Sequence, residues 1–116
     1  MELNYYQTKA LLTAVYPAEY AIIYPALGMN GEAGEVADKV KKIIRDTEVV
    51  KDSNGKIILD ENQRKNIALE IGDVLWYVAT LSYDIGLSLE EVANLNIEKL
   101  ESRQQRGKLG GSGDHR

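Results

Sequence analysis

Glu32-Ala33-Gly34-Glu35-Val36 and Glu70-Ile71-Gly72-Asp73-Val74 are near copies of one another. The likeness continues in register, with Met29 matching Ile67, Ala37 matching Leu75 and Val40 matching Val78. On a helix turning about 100° per residue, positions three apart lie roughly 60° apart on one face. Each copy therefore presents two carboxylates side by side, at the edge of an apolar seam, with a glycine between them. Packing the two seams together brings four acids to one place. Such a cluster is held in a folded protein by protons or by a cation, so the repeat reads as a metal site built between two helices.

Size and charge narrow the frame. The chain has 116 residues, enough for one domain with a single modest core. A net charge of −4 argues against nucleic-acid binding, which calls for a basic excess. With no cysteine, disulfides, thiolate zinc sites and thiol nucleophiles are excluded. No apolar run approaches the roughly 20 residues of a membrane span, and the N-terminus has no signal-peptide pattern, so a cytoplasmic protein is expected.

The pattern predicts four helices. The first runs from about Asn4 to Val15, with Leu3, Leu11, Leu12 and Val15 as apolar positions and Pro17 marking the loop beyond. The second starts near Tyr24 or Pro25 and extends to about Thr47, with Met29, Ala33, Val36, Val40 and Ile43 at steps of four and three. Residues 49 to 60 hold two short β-branched runs around Lys51-Asp52-Ser53-Asn54-Gly55-Lys56, a hairpin or an excursion loop. The third helix, Glu61 to Ile85, carries Ile67, Ile71, Val74, Val78, Leu81 and Ile85 without a break and ends at Gly86. Ser88 with Glu91 forms a capping box for the fourth, which runs to about Gln105. The expected fold is all-α, a four-helix-bundle-like domain over residues 1–106. Residues 107–116 form a flexible glycine-rich tail, or a glycine-hinged flap whose Lys108 and Arg116 close over a phosphate-bearing ligand.

The donor set decides the metal. Four carboxylates, no cysteine and a single histidine near the terminus, His115, suit a hard cation, Mg²⁺ first with Mn²⁺ as a substitute. A di-iron bundle needs Glu-x-x-His pairs, which are missing. Mg²⁺ commonly bridges to substrate phosphates, so phosphoryl or nucleotidyl transfer to water follows. Gly55-Lys56 and Gly107-Lys108 lack the Ser or Thr of a P-loop, and no nucleophilic side chain stands out, which leaves an activated water as the attacker. Counter-charge for phosphates is available on the fourth helix, where Asn96, Lys99 and Arg103 form one stripe, with Arg106 a turn further on. Tyr77, four residues past Asp73, is placed to hydrogen-bond or stack on a substrate.

These residues resemble the MazG-like, all-α nucleoside triphosphate pyrophosphohydrolases. The resemblance rests on Glu32-x-x-Glu35 followed by Glu70-x-x-Asp73, on Gly28-x-x-Gly31 ahead of the first pair, on Val74-Leu75-Trp76-Tyr77 after the second, and on Asn96-Ile97-Glu98-Lys99-Leu100-x-x-Arg103. The ending Gly111-Ser112-Gly113-Asp114-His115-Arg116 also resembles that of some members. It implies hydrolysis of a (deoxy)nucleoside triphosphate to the monophosphate and pyrophosphate, by metal-activated water at the α-phosphorus. It further implies that Glu32, Glu35, Glu70 and Asp73 ligate the metal and that Lys99 and Arg103 grip phosphates. Tyr77 and Asn96 would help hold the nucleotide, with Gln7 a candidate base contact, in a homodimer or homotetramer that shares sites between subunits. Two departures stand out: Gly31 replaces an acid often found before the first motif, and the 49–60 excursion lengthens the separation of the two pairs.

Two other readings remain open. One is a superfamily relative acting on a different nucleotide, dUTPase-like or phosphoribosyl-ATP pyrophosphohydrolase-like. The other is a non-enzymatic helical interaction protein whose acids decorate a surface or bind metal structurally.

Overall fold

Helix boundaries follow from stop signals in the chain, and a computed structural model describes all 116 residues. The elements are α1 (Leu3–Leu11), a 3₁₀ turn at Ala18–Tyr20, α2 (Ile23–Asp46), β1 (Val50–Lys51), β2 (Ile57–Ile58), α3 (Glu61–Asp84) and α4 (Leu89–Gln105). The expected all-α class holds, with the excursion resolved as a two-stranded antiparallel hairpin pairing Val50 with Ile58 and Lys51 with Ile57. Asp52 organises its turn, its carboxylate accepting from the Asn54 and Lys56 amides at 2.8 and 3.0 Å.

Local chemistry sets each boundary. At the end of α3, Gly86 takes φ +84, the Leu87 amide donates to Ser82 O and the Gly86 amide to Tyr83 O, which is a Schellman ending. Capping boxes open α3 (Asp60 with Gln63) and α4 (Ser88 with Glu91). The first helix is shorter than expected: it stops at Leu11, and residues 12–14 form tight turns in which the Thr13 hydroxyl donates to Ala10 O and accepts from Trp76 Nε1 at 2.8 Å. That pairing fixes the helix end more strongly than apolar periodicity through Val15 could extend it.

Before α2, Ile22 sits at φ +70 and ψ −54, with the Ile23 amide donating back to Ala21 O at 2.8 Å. This γ-turn is strained for a β-branched residue. The Asp84 carboxylate holds it in place, accepting from the Ile22 amide at 3.0 Å and from the Tyr16 hydroxyl at 2.7 Å.

The two long helices run antiparallel: Gly28 lies opposite Tyr77, Glu32 opposite Asp73, and Lys39 opposite Glu70. The two sequence repeats therefore face one another about a local pseudo-twofold. The buried core lies elsewhere, where Ala10, Ala79 and Leu89 join α1, α3 and the start of α4. Gln7 is buried in that junction; its Nε2 donates to Ala79 O and Leu87 O, and its Oε1 accepts from the Leu89 amide. The base contact expected of Gln7 is thus replaced by a structural tie. Much of the seam stays open, with Val40, Ile71 and Ile85 exposed. No helix is long and apolar enough to cross a membrane.

Candidate active site

Glu32 on α2 and Glu70 and Asp73 on α3 offer one carboxylate oxygen each within 4.8 Å of one another. Helix spacing puts Glu70 and Asp73 on one face, and the antiparallel register puts Glu32 across from them. Glu32 and Glu70 are half-buried and Asp73 is exposed, so the group opens to solvent at one side. Partial desolvation, followed by the charges of Asp73, Glu70 and Glu35, pushes the Glu32 carboxyl above its ordinary 4.5. Like charges this close resist simultaneous ionisation unless a cation joins them. Oxygen donors alone, at this spacing, fit a hard divalent ion such as Mg²⁺.

Glu35 stands apart. It is exposed one turn along from Glu32 and outside the converging trio, although its charge still bears on Glu32. Its expected place as a fourth ligand is not the geometry of the single chain.

Several neighbours emerge from the fold. Lys39 Nζ lies 3.6 Å from Glu70 Oε1 and supplies counter-charge at the edge of the trio. Its position, seven residues after Glu32 and four after Glu35, was a legible helical signal. Tyr6 of α1 feels Asp73: burial first and that charge second raise its hydroxyl pKa. Tyr77 is raised by burial, by the adjacent Tyr24 hydroxyl and by Glu32 and Asp73. Tyr77 heads an aromatic row, 4.9 Å edge-on from Trp76 and 6.2 Å from Tyr24, which stacks on Tyr16 at 5.0 Å. Tyr24 had no periodic signal, since it sits where the chain leaves the γ-turn.

The basic stripe forms a separate centre. Helix α4 packs against α1 and α3, and Lys99 and Arg103 pair with Asp114 of the tail, not with the trio. Lys99 Nζ reaches Asp114 Oδ1 at 3.0 Å; Arg103 Nη2 donates to Gly113 O at 3.1 Å and to the same carboxylate oxygen at 3.3 Å. These cations hold the Asp114 carboxyl below its usual range. Asn96 is exposed on the same helix. Arg116 turns inward, donating to the carbonyls of Lys108, Leu109, Gly110 and Gly113. The tail is therefore curled around its own terminal guanidinium, an arrangement unlike the expected closure of Lys108 and Arg116 over a ligand.

An acidic trio thus lies between the paired antiparallel helices, with the Lys99–Arg103 stripe of α4 apart from it. The chain belongs to the MazG nucleotide pyrophosphohydrolase domain family, whose profile matches residues 26–107, from α2 to just past α4. It is similar to the Gene 37 protein of Mycobacterium phage L5, 43% identical over 122 residues that cover the whole of both chains. No solved structure matches it.

Proposed function

We propose that the protein is a Mg²⁺-dependent hydrolase that converts (deoxy)nucleoside triphosphates to the monophosphate and pyrophosphate. The observation that carries this reading is the convergence of Glu32, Glu70 and Asp73 within 4.8 Å, in a chain of this family. Glu32, Glu70 and Asp73 would hold a divalent cation, which would supply positive charge against phosphate oxygens and activate the attacking water. Water attacks the α-phosphorus, the α–β bridging P–O bond breaks, and pyrophosphate leaves with the bonding electrons. Glu35 completes the acidic set when the site closes. Lys99 and Arg103 grip the phosphates, and Tyr77 and Asn96 hold the nucleoside.

We further propose that the working form is a homodimer or homotetramer. Only eight of 116 residues are buried, and the accessible surface is 8548 Å², roughly a third above the about 6,300 Å² expected of a folded monomer this size. The radius of gyration, 17.4 Å, exceeds the about 13 Å of a compact chain. Leu27, Ile44 and Leu69 are each at least 60% exposed on the paired helices. A second copy covering these faces provides the missing core and brings the Lys99–Arg103 stripe of one α4 to the acidic trio of its partner.

Hydrolysis in H₂¹⁸O across a panel of nucleotides tests the reaction. The expected result is label in the monophosphate and none in pyrophosphate. Label in pyrophosphate or in inorganic phosphate contradicts attack at the α-phosphorus, and cleavage only of a phosphoribosyl or diphosphate nucleotide favours a superfamily relative of different specificity.

A further inference from the structure

Arg103 is 4% exposed, and its Nε is buried with no hydrogen-bond partner. Its Nη2 and the Lys99 ammonium share one oxygen of Asp114, whose own side chain is 75% exposed. A carboxylate thus takes a seat between two cations while leaving a donor of one of them unserved. A phosphate group carries more acceptor oxygens and more charge, arranged to meet a guanidinium on two donors at once. The seat is chemically better suited to phosphate than to its present occupant.

The segment bearing Asp114 is built to leave. Gly107 at φ +66 ends α4, with the Lys108 amide donating to Arg103 O, and Gly111 and Gly113 also take positive φ. Beyond that hinge the tail is held mainly by Arg116 donating to the tail's own carbonyls. Its ties to α4 are the Lys99 and Arg103 contacts and one bond from Arg106 to Arg116 O at 2.8 Å.

We propose that the tail is a displaceable plug: the Asp114 carboxylate occupies the Lys99–Arg103 anion seat, and the phosphates of an incoming nucleotide or of product pyrophosphate expel it. The proposal rests on the assignment of Lys99 and Arg103 as the phosphate grip. It makes Asp114 an internal competitor, so the free enzyme keeps its buried guanidinium paired and releases pyrophosphate readily.

The test is calorimetric binding of inorganic pyrophosphate to the full chain and to Asp114→Asn, with amide exchange of residues 109–116 followed in parallel. Asp114→Asn is expected to tighten binding about two- to fivefold, the range an exposed ion pair commands. Saturating pyrophosphate should speed exchange of the tail in the wild type. Unchanged or weaker binding by Asp114→Asn, or a tail that becomes more protected, overturns the plug. Asp114 is exposed, so folding is not at stake; Arg116→Ala, which loosens the tail from its own carbonyls, should shift affinity in the same direction. If the wild type hydrolyses no nucleotide, the proposed function falls, while pyrophosphate binding still decides the plug. If it hydrolyses normally and Asp114→Asn changes nothing, only the plug falls.

Discussion

Gly28 of α2 and Tyr77 of α3 meet with no room for one more carbon: a Cβ at position 28 would lie 2.3 Å from Tyr77 Cε1 and 2.4 Å from Cζ. The glycine lets the ring lie flat against the neighbouring helix, beside Glu32 and Asp73. Gly28→Ala forces the ring out at about 1–3 kcal/mol, more than the about 1 kcal/mol alanine gains in a helix. Thermal melts should show net destabilisation, and hydrolysis should fall with it. In a Tyr77→Ala background the same substitution should become neutral or stabilising; a double-mutant coupling below about 0.5 kcal/mol would contradict the contact.

Gly34 and Gly72 behave oppositely, since a Cβ at either meets nothing within 4 Å. Alanine at each is expected to stabilise the chain by about 1 kcal/mol. On the proposed function the open space beside the acids takes the substrate, so hydrolysis should nevertheless drop by about tenfold or more; a tenfold loss is about 1.4 kcal/mol. Full activity from the doubly substituted protein would remove that role.

The Glu32 carboxyl, raised above 4.5 by desolvation and by Asp73, Glu70 and Glu35, gives a pH signature. An acid whose folded pKa is raised binds its proton more tightly in the folded state, so its contribution to stability falls as pH climbs through and above 4.5. Glu32→Gln, melted in chelator, should therefore raise Tm at pH 7 and lose that advantage as pH falls well below 4.5, where the wild-type carboxyl becomes protonated in both states. A lower Tm at pH 7 would mean the acids are not in mutual repulsion.

The exposed apolar faces predict assembly. Sedimentation should give a particle at least twice the 12.9 kDa chain mass. Leu27→Glu with Leu69→Glu, both at exposed positions of the single chain, should dissociate it. A monodisperse wild-type monomer would contradict the oligomeric account.

Much of this architecture was legible in the chain. Unbroken steps of three and four located α2 and α3, Ser88 with Glu91 marked the start of α4, and the repeated acid pairs foretold a carboxylate cluster. The antiparallel register brings Glu32 to Glu70 and Asp73, while Glu35, a turn on, is exposed and outside the group. What periodicity could not give were contacts set by single atoms. The Trp76–Thr13 hydrogen bond cut α1 short, and Gln7 was drawn into a backbone tie. Asp114 found Lys99 and Arg103 only because the tail curls on Arg116.

The most direct measurement is the rate of pyrophosphate release from Mg²⁺-nucleoside triphosphates by the wild type and by Glu70→Gln, with circular dichroism of both. The amide preserves shape and removes one ligand charge, so turnover should fall at least about a hundredfold, near 2.7 kcal/mol, with helicity unchanged. Equal rates from the two proteins, or no release from a folded wild type, would contradict the assignment of the trio as the catalytic centre.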